Sequence, residues 1–300
     1  MELRTIEWKD NSVIMIDQTK LPNELIFVKY TDYNDVAEAI RTLVVRGAPA
    51  IGVSGAFGIA LAALQSSSEN IEDLLSDLKK AKKILFETRP TAVNLSWALE
   101  KIMKIAEQGK TVSEIKDSVI ANAKEMAEDD ININKKMGKN GAELFENNDT
   151  IMTHCNAGAL ATVAYGTALG VIRATNESGK NIKVIATETR PVQQGSRLTA
   201  FELKHDGISV SLIPDTAVGY TMANGLVNGV IVGADRVLRT GHVFNKIGTY
   251  QVATMAKQHN IPFYVAAPLS TFDLESRPED VIIEQRKPSE VTGIGDKKTA

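Results

Sequence analysis

The chain has 300 residues, of which 43% are hydrophobic and 24% charged, and domains of about 150 residues make two domains the expectation from length. This is ordinary globular composition, which excludes disordered, collagenous and disulfide-rich secreted classes. With 34 basic against 37 acidic side chains the net charge is −3, so no excess of positive charge is available to hold nucleic acid or anionic lipid.

The opening Met1-Glu2-Leu3-Arg4-Thr5-Ile6-Glu7 is charged and lacks the apolar core of a signal peptide. The apolar runs 13–16 and 25–28, separated by a turn around Pro22-Asn23, predict two short strands. The weakly polar stretch from Ala48 to Leu64 is too short and too rich in small residues to be read as a membrane span. A cytoplasmic protein is therefore expected. Ile71, Leu74, Leu75, Leu78, Ala81 and Leu85 share one helical face. Thr111-Val112-Ser113-Glu114 matches a capping box, followed by an apolar stripe through Ile115, Val119, Met126, Ile133 and Met137. Residues 33–145 thus read as mainly helical, and residues 1–146 as one domain.

The pattern changes at the polar break Glu146-Asn147-Asn148-Asp149. Apolar runs follow at 150–153, 182–186, 208–213, 230–232 and 263–266, separated by helix-like segments at 158–174, 193–204, 215–224 and 247–259. Alternating helices and wholly apolar strands argue a parallel sheet covered on both faces. The expected fold class is α/β: a helical N-terminal domain with a short strand region, then a Rossmann-like C-terminal domain over 147–300. No strand or helix signal follows Val281-Ile282-Ile283.

In such sheets the reacting groups sit just beyond the carboxyl ends of the strands. Three strand ends carry polar or reactive side chains: His154-Cys155-Asn156, then Thr187-Glu188-Thr189-Arg190-Pro191 with Gln193-Gln194-Gly195, then Gly233-Ala234-Asp235-Arg236. They are expected to converge on one crevice. Cys155, placed before a helix start, would have its thiolate favoured there, though a lone cysteine also fits as a small buried hydrophobe. Asp235 reads as a general acid, or as a helix cap or ion-pair partner of Arg236. His154 reads as a core histidine bonded to backbone. Four histidines and one cysteine show no zinc-ligand spacing, so neither metal nor cofactor is expected. In the helical half, Arg46 and Gly47 before a Pro49 helix start suggest a phosphate cradle or a solvated loop. Arg89 and the pair Asn245-Lys246 also sit at helix junctions.

Taken together, these segments are far more specific than any one of them. The stretches Arg46-Gly47-Ala48-Pro49-Ala50-Ile51-Gly52, Thr88-Arg89-Pro90-Thr91-Ala92-Val93-Asn94-Leu95 and Thr153-His154-Cys155-Asn156-Ala157-Gly158-Ala159-Leu160-Ala161-Thr162 come first. Glu188-Thr189-Arg190-Pro191, Gln194-Gly195-Ser196-Arg197-Leu198-Thr199-Ala200, Val232-Gly233-Ala234-Asp235-Arg236 and Asn245-Lys246-Ile247-Gly248-Thr249-Tyr250 follow in order. In this set the chain resembles the methylthioribose-1-phosphate isomerase family, shared with the regulatory subunits of translation initiation factor 2B. The resemblance implies Cys155 and Asp235 as the reacting pair. It implies substrate contacts from Arg46, Gly47, Ala48, Arg89, Gln194, Asn245 and Lys246, and a homodimer.

The implied reaction turns 5-methylthioribose 1-phosphate, a small sugar phosphate, into 5-methylthioribulose 1-phosphate, a step of methionine salvage. The anomeric oxygen carries phosphate, so a group must protonate the ring oxygen to open the ring. That suits a carboxylic acid held protonated by its surroundings, here Asp235. Hydrogen then moves from C2 to C1, through an enediol with Cys155 as base or as a hydride in a dry pocket. Two alternatives stand beside this reading: ribose-1,5-bisphosphate isomerase, and a non-enzymatic interaction subunit of the initiation-factor type. The family usually continues with an Asn-Pro-Ala-Phe-Asp-like segment where this chain stops at Asp296-Lys297-Lys298-Thr299-Ala300, so truncation is expected.

Overall fold

The computed structural model describes residues 3–283, 285–294 and 297–299; Met1, Glu2, Glu284, Gly295, Asp296 and Ala300, parts of the terminal stretches read above, lie outside it. The chain divides into two compact units. One is Met1–Lys136 with Gly158–Gly166 and Pro268–Thr271; the other is Met137–Ala157, Thr167–Ala267 and Phe272–Ala300.

The first unit opens with an antiparallel sheet of β1 (Ile6–Lys9), β2 (Ser12–Ile16) and β3 (Phe27–Tyr30), in that order. Strand β1 alternates apolar and polar residues, the pattern of a half-buried strand, which a reading by continuous apolar runs passes over. Strand β3 starts two residues later than predicted, because the register pairs Ile16 with Phe27 and leaves Leu25 before the ladder. Helix α1 (Tyr33–Arg41) begins where the Asp32 carboxylate accepts from Asn34 N–H at 2.7 Å. Helices α2 (Ala48–Gln65), α3 (Ile71–Phe86), α4 (Val93–Ala106) and the 30-residue α5 (Val112–Gly141) follow. At the predicted capping box, Thr111 Oγ1 accepts from Glu114 N–H, but the Glu114 carboxylate accepts from Lys110 N–H instead of Thr111.

Helix α2 is apolar on every side. It is long and apolar enough to cross a membrane by length and composition, yet 83% of it is buried, as a core helix is. Its one polar residue beyond the first turn and before the C-terminus, Ser54, donates to the Ala50 carbonyl at 2.7 Å. Gly52, Gly55 and Gly58 form a stripe against which Asn94, Leu95 and Leu85 pack at backbone-contact range. A second buried polar group is Asp130 on α5, whose carboxylate accepts from Val163 N–H at 2.7 Å.

Burial pushes the Asp130 carboxyl up to about 7 from an ordinary 3.8, against the pull of the Val163 N–H bond and of the nearby Asn134 amide. A raised folded-state pKa means the stabilising contribution is complete below about 3.8 and is lost as pH rises through about 7. The Asp130→Asn variant should therefore gain in Tm on the wild type, by several degrees, between pH 4 and 8. A Tm difference that stays flat across that range would refute this.

In chain order the second unit carries β4 (Thr150–Thr153), α6 (Ala168–Glu177), β5 (Lys183–Thr187), α7 (Ala200–His205) and β6 (Ser209–Ile213). Then come α8 (Val218–Ala223), β7 (Gly229–Val232), β8 (Arg236–Leu238), β9 (Val243–Phe244), α9 (Thr249–Gln258) and β10 (Phe263–Val265). The main sheet is parallel, in the order β10-β7-β4-β5-β6. Successive side chains face opposite sides. Ile151, Val184 and Ile231 join one core with Leu169 and Ile172 of α6 and Leu203 of α7. Met152, Ile185, Val230 and Val232 join another with Val218 and Met222 of α8 and Val252 and Ala256 of α9. Helices on both faces of a parallel sheet make this unit Rossmann-like. A small sheet sets β8 between β9 and β11 (Phe272–Asp273).

Two expectations are corrected. The helix predicted over 158–174 starts only at Ala168. Before it, Gly158–Gly166 belongs to the first unit as a single 3₁₀ turn and loop, with Tyr165 and Gly166 at positive φ. Beyond residue 283, where no element was expected, β12 (Gly293–Ile294) pairs antiparallel with β13 (Lys297–Lys298).

Candidate active site

Strand β4 lies between β7 and β5, all parallel, so their carboxyl ends share one edge of the sheet. The order reverses at β4, where one connection leads to β5 and a later one to β7, the place where open α/β sheets form a crevice. Cys155 follows β4, Thr189 follows β5 and Asp235 follows β7, so the three predicted strand ends lie along one edge of the sheet within the second unit, with Cys155 and Thr189 in direct contact.

Cys155 is buried at 8% exposure, in left-handed backbone with φ 66°. Its N–H donates to Thr189 Oγ1 at 2.9 Å and its carbonyl accepts from Thr199 Oγ1 at 2.6 Å. The helix start expected directly after it is absent, since the next α-helix begins at Ala168. Thr189, also at positive φ, has its N–H bonded to Asp215 Oδ1 at 2.8 Å, while Arg190 N–H bonds Asp215 Oδ2 at 2.7 Å.

Gln194 is buried at the entry to a π-helical turn, Gly195–Thr199. Such turns are costly and concentrate at functional sites. Only glycine fits position 195, because a Cβ there would lie 1.7 Å from the Thr187 carbonyl oxygen.

His154 is buried and bonds Ile247 O through Nε2 at 2.8 Å and Thr187 Oγ1 through Nδ1 at 2.7 Å. A carbonyl only accepts, so Nε2 carries the proton and, in the neutral ring, Nδ1 accepts from the Thr187 hydroxyl. Burial holds the imidazole below its usual range, with the Ile247 bond and Asp215 opposing and Lys246 adding to the effect. This is the core histidine the sequence suggested. It ties the Asn245–Gly248 segment to the end of β4. Within that segment Asn245 Nδ2 donates to Thr249 Oγ1, whose hydroxyl donates to Lys246 O, fixing both predicted residues at the start of α9.

Asp235 is exposed, and its carboxylate has no hydrogen bond or ion pair among the described residues. Its N–H donates to Phe244 O. The enclosing surroundings expected around this carboxylate are absent among the described residues. Nor is Asp235 the partner of Arg236, which pairs with Asp273 at 3.2 Å.

The remaining predicted residues lie in the first unit. Gly47, with φ 96°, is the N-cap of α2, and a Cβ on it would fall 2.4 Å from Ala161 Cα. Ala48 opens α2 with Pro49 behind it. Arg46 Nε donates to Gln18 Oε1 at 3.1 Å, and Gln18 Nε2 donates to Leu160 O at 2.7 Å. Arg89 stands half-buried in the turn between α3 and α4. An open groove of about 560 Å³ at the starts of α3 and α5, lined by Glu69, Asp73 and Lys110 among others, contains none of the site residues.

Sequence reasoning missed Gln18 and Asp215, and it gave no role to Thr199, which lies in the quoted Gln194–Ala200 stretch. The strand-end rule, applied to β6 as well, would have found Asp215 just past Pro214. Nothing in the spacing of Gln18 or Thr199 marks either one.

Residues 44–300 match the Initiation factor 2 subunit family, and the chain belongs to it. It is 52% identical over 297 residues to "Methylthioribose-1-phosphate isomerase" of Geotalea uraniireducens, covering 98% of this chain and 86% of that protein. Among solved structures, 5-methylthioribose 1-phosphate isomerase from Pyrococcus horikoshii superimposes with a TM-score of 0.92 at 45% identity, over 99% of this chain and 84% of that one. The structure of translation initiation factor eIF-2B, subunit delta, from A. fulgidus gives a TM-score of 0.88 at 51% identity, over 99% and 87%.

Proposed function

We propose that the protein is an aldose–ketose isomerase acting on 5-methylthioribose 1-phosphate, with Cys155 and Asp235 as its reacting pair. The observation that carries this reading is their placement past adjacent parallel strands at the point where the sheet order reverses. Near 50% identity to isomerases over almost the whole chain supports it.

Asp235 protonates the ring oxygen and the C1–ring oxygen bond breaks. Cys155, as thiolate, takes the C2 proton and returns it to C1. The C2 hydroxyl proton passes to the Asp235 carboxylate, so the ketose forms with no net change in protons. In the hydride variant the C2 hydrogen moves directly to C1 and Cys155 stabilises charge. Since Asp235 is exposed, its acid role rests on the bound sugar phosphate itself excluding water from the carboxylate. Arg46, Gly47, Ala48, Arg89, Gln194, Asn245 and Lys246 are the proposed substrate contacts, with Arg46 and Arg89 suited to phosphate. The protein is proposed to act in the cytoplasm as a homodimer. Exposed Tyr220, Ile247 and Tyr250 on α8 and at the start of α9 are apolar surface available to a second copy.

The resemblance to the A. fulgidus initiation-factor structure favours one other reading, a non-enzymatic interaction subunit. Purified protein incubated with 5-methylthioribose 1-phosphate should yield ketose, with much slower or no turnover of ribose 1,5-bisphosphate. Turnover of the bisphosphate alone would replace the substrate. No turnover of either would leave the interaction reading.

A further inference from the structure

The two hydroxyls that bracket Cys155 have no part in the chemistry above. We propose that Thr199 is a positioning residue for the Cys155 thiol, kept in orientation by a buried chain through Asn156, Glu202 and Arg173. This rests on the assignment of Cys155 to the reaction.

A cysteine held at φ 66° is in backbone that residues other than glycine adopt only at a cost, so its surroundings must impose it. Thr199 Oγ1 lies 2.6 Å from the Cys155 carbonyl, which can only accept, so the single hydroxyl proton of Thr199 points there. Its free lone pair takes the Asn156 Nδ2 proton at 3.1 Å. The other Nδ2 proton goes to Glu202 Oε1 at 2.8 Å. Glu202 is fully buried, and its Oε2 accepts from an Arg173 Nη at 2.7 Å, while Arg173 Nε donates to Asp206 Oδ2 at 2.7 Å. Each donor and acceptor thus fixes the next, and the Asn156 amide has one orientation only. A buried carboxylate–guanidinium pair gives little net stability compared with an apolar replacement. What this pair does supply is direction, transmitted to a peptide whose side chain is the proposed base. The π turn, which lets Thr199 face Cys155, is the other half of the device.

The test compares wild type, Thr199→Val and Thr199→Ser in the full chain. Steady-state kinetics with 5-methylthioribose 1-phosphate, the pH profile of Cys155 alkylation by iodoacetamide and Tm are the three readouts. Thr199→Val should lower kcat by about 10-fold to 100-fold, the scale of a misplacement near 1 Å, and should change the alkylation profile. Its KM should stay within about threefold, since substrate contacts are untouched. Thr199→Ser, which keeps the hydroxyl, should stay within about threefold on every parameter. If the valine variant does not fold, Thr199→Ala carries the same comparison. A hydroxyl-less variant with wild-type kcat and alkylation, or a serine variant as impaired as the valine, overturns the proposal. Cys155→Ala separates this from failure of the catalytic assignment. Turnover retained in that variant ends the role of Cys155, whereas alkylation of Thr199→Val still reads the clamp without any turnover.

Discussion

Replacing Cys155 by Ala, or Asp235 by Asn, is expected to lower kcat by about 10²–10⁴-fold, the range that one positioned acid or base contributes. Neither change should disturb the fold. The hydrogen bonds that hold Cys155 engage its backbone N–H and carbonyl, which an alanine also presents. Asp235 is exposed, and no described residue depends on its carboxylate. The double variant should be little worse than the poorer single one, because residues acting as a unit are not additive. Steady-state kinetics beside circular dichroism and Tm read this result. A kcat within about tenfold of wild type in either single variant removes that residue from the reacting pair. Substrate deuterated at C2 tests the proton route: label washed into solvent requires that a proton pass through Cys155, whereas full retention at C1 is the outcome both of hydride transfer and of a thiol that returns its proton before exchange.

The second large effect belongs to Gly195. A methyl group at this position would meet the Thr187 carbonyl oxygen at 1.7 Å, and that oxygen is part of strand backbone, which cannot swing aside. Either the π turn or the end of β5 must move. Overpacking of this kind costs about 1–3 kcal/mol, and backbone as the obstacle places Gly195→Ala at the upper end. With an unfolding entropy of about 0.6 kcal/mol/K for a chain of 300 residues, that is a Tm drop of roughly 5 °C. The displaced turn carries Gln194 and Thr199, so turnover should fall further than stability alone requires, measured at a temperature where the variant is fully folded. Wild-type Tm with wild-type kcat would mean that the close approach relaxes without consequence.

How much of this was legible in the sequence depended on whether one local rule governed the residues. The central strands β4, β5 and β7 were readable because burial on both faces makes each a short apolar run: 150–153 was found as it stands, and 182–186 was found one residue early. The segment 158–174 misled for a related reason. Up to Ile172 it is mostly small and weakly polar, so nothing in its pattern separates a buried helix from a buried loop. Tyr165 and Gly166, at positive φ, break it before α6. At the candidate site, the strand-end rule pointed to Cys155, Asp235 and the Thr187–Arg190 stretch, because a parallel sheet delivers those positions to one edge. It could not find Thr199, since a π turn has no sequence period, nor Gln18, whose bond to Arg46 spans 28 residues. The exposure of Asp235 was equally hidden, because burial is a property of neighbours distant in the chain.

Helix α2 has a consequence for synthesis. While the chain emerges from a ribosome, this apolar helix is exposed, and by length and composition it resembles a segment bound for a membrane. Part of its cover, α1, is already made when it emerges, and most of the rest comes from the helices directly after it. The last of them, α4, ends about forty residues further on, which at roughly 5–20 residues per second is about 2–8 s of translation. Close spacing along the chain therefore limits how long targeting factors and other nascent chains can compete for the helix. A flexible insert between α2 and α3 would lengthen that interval without touching the finished core.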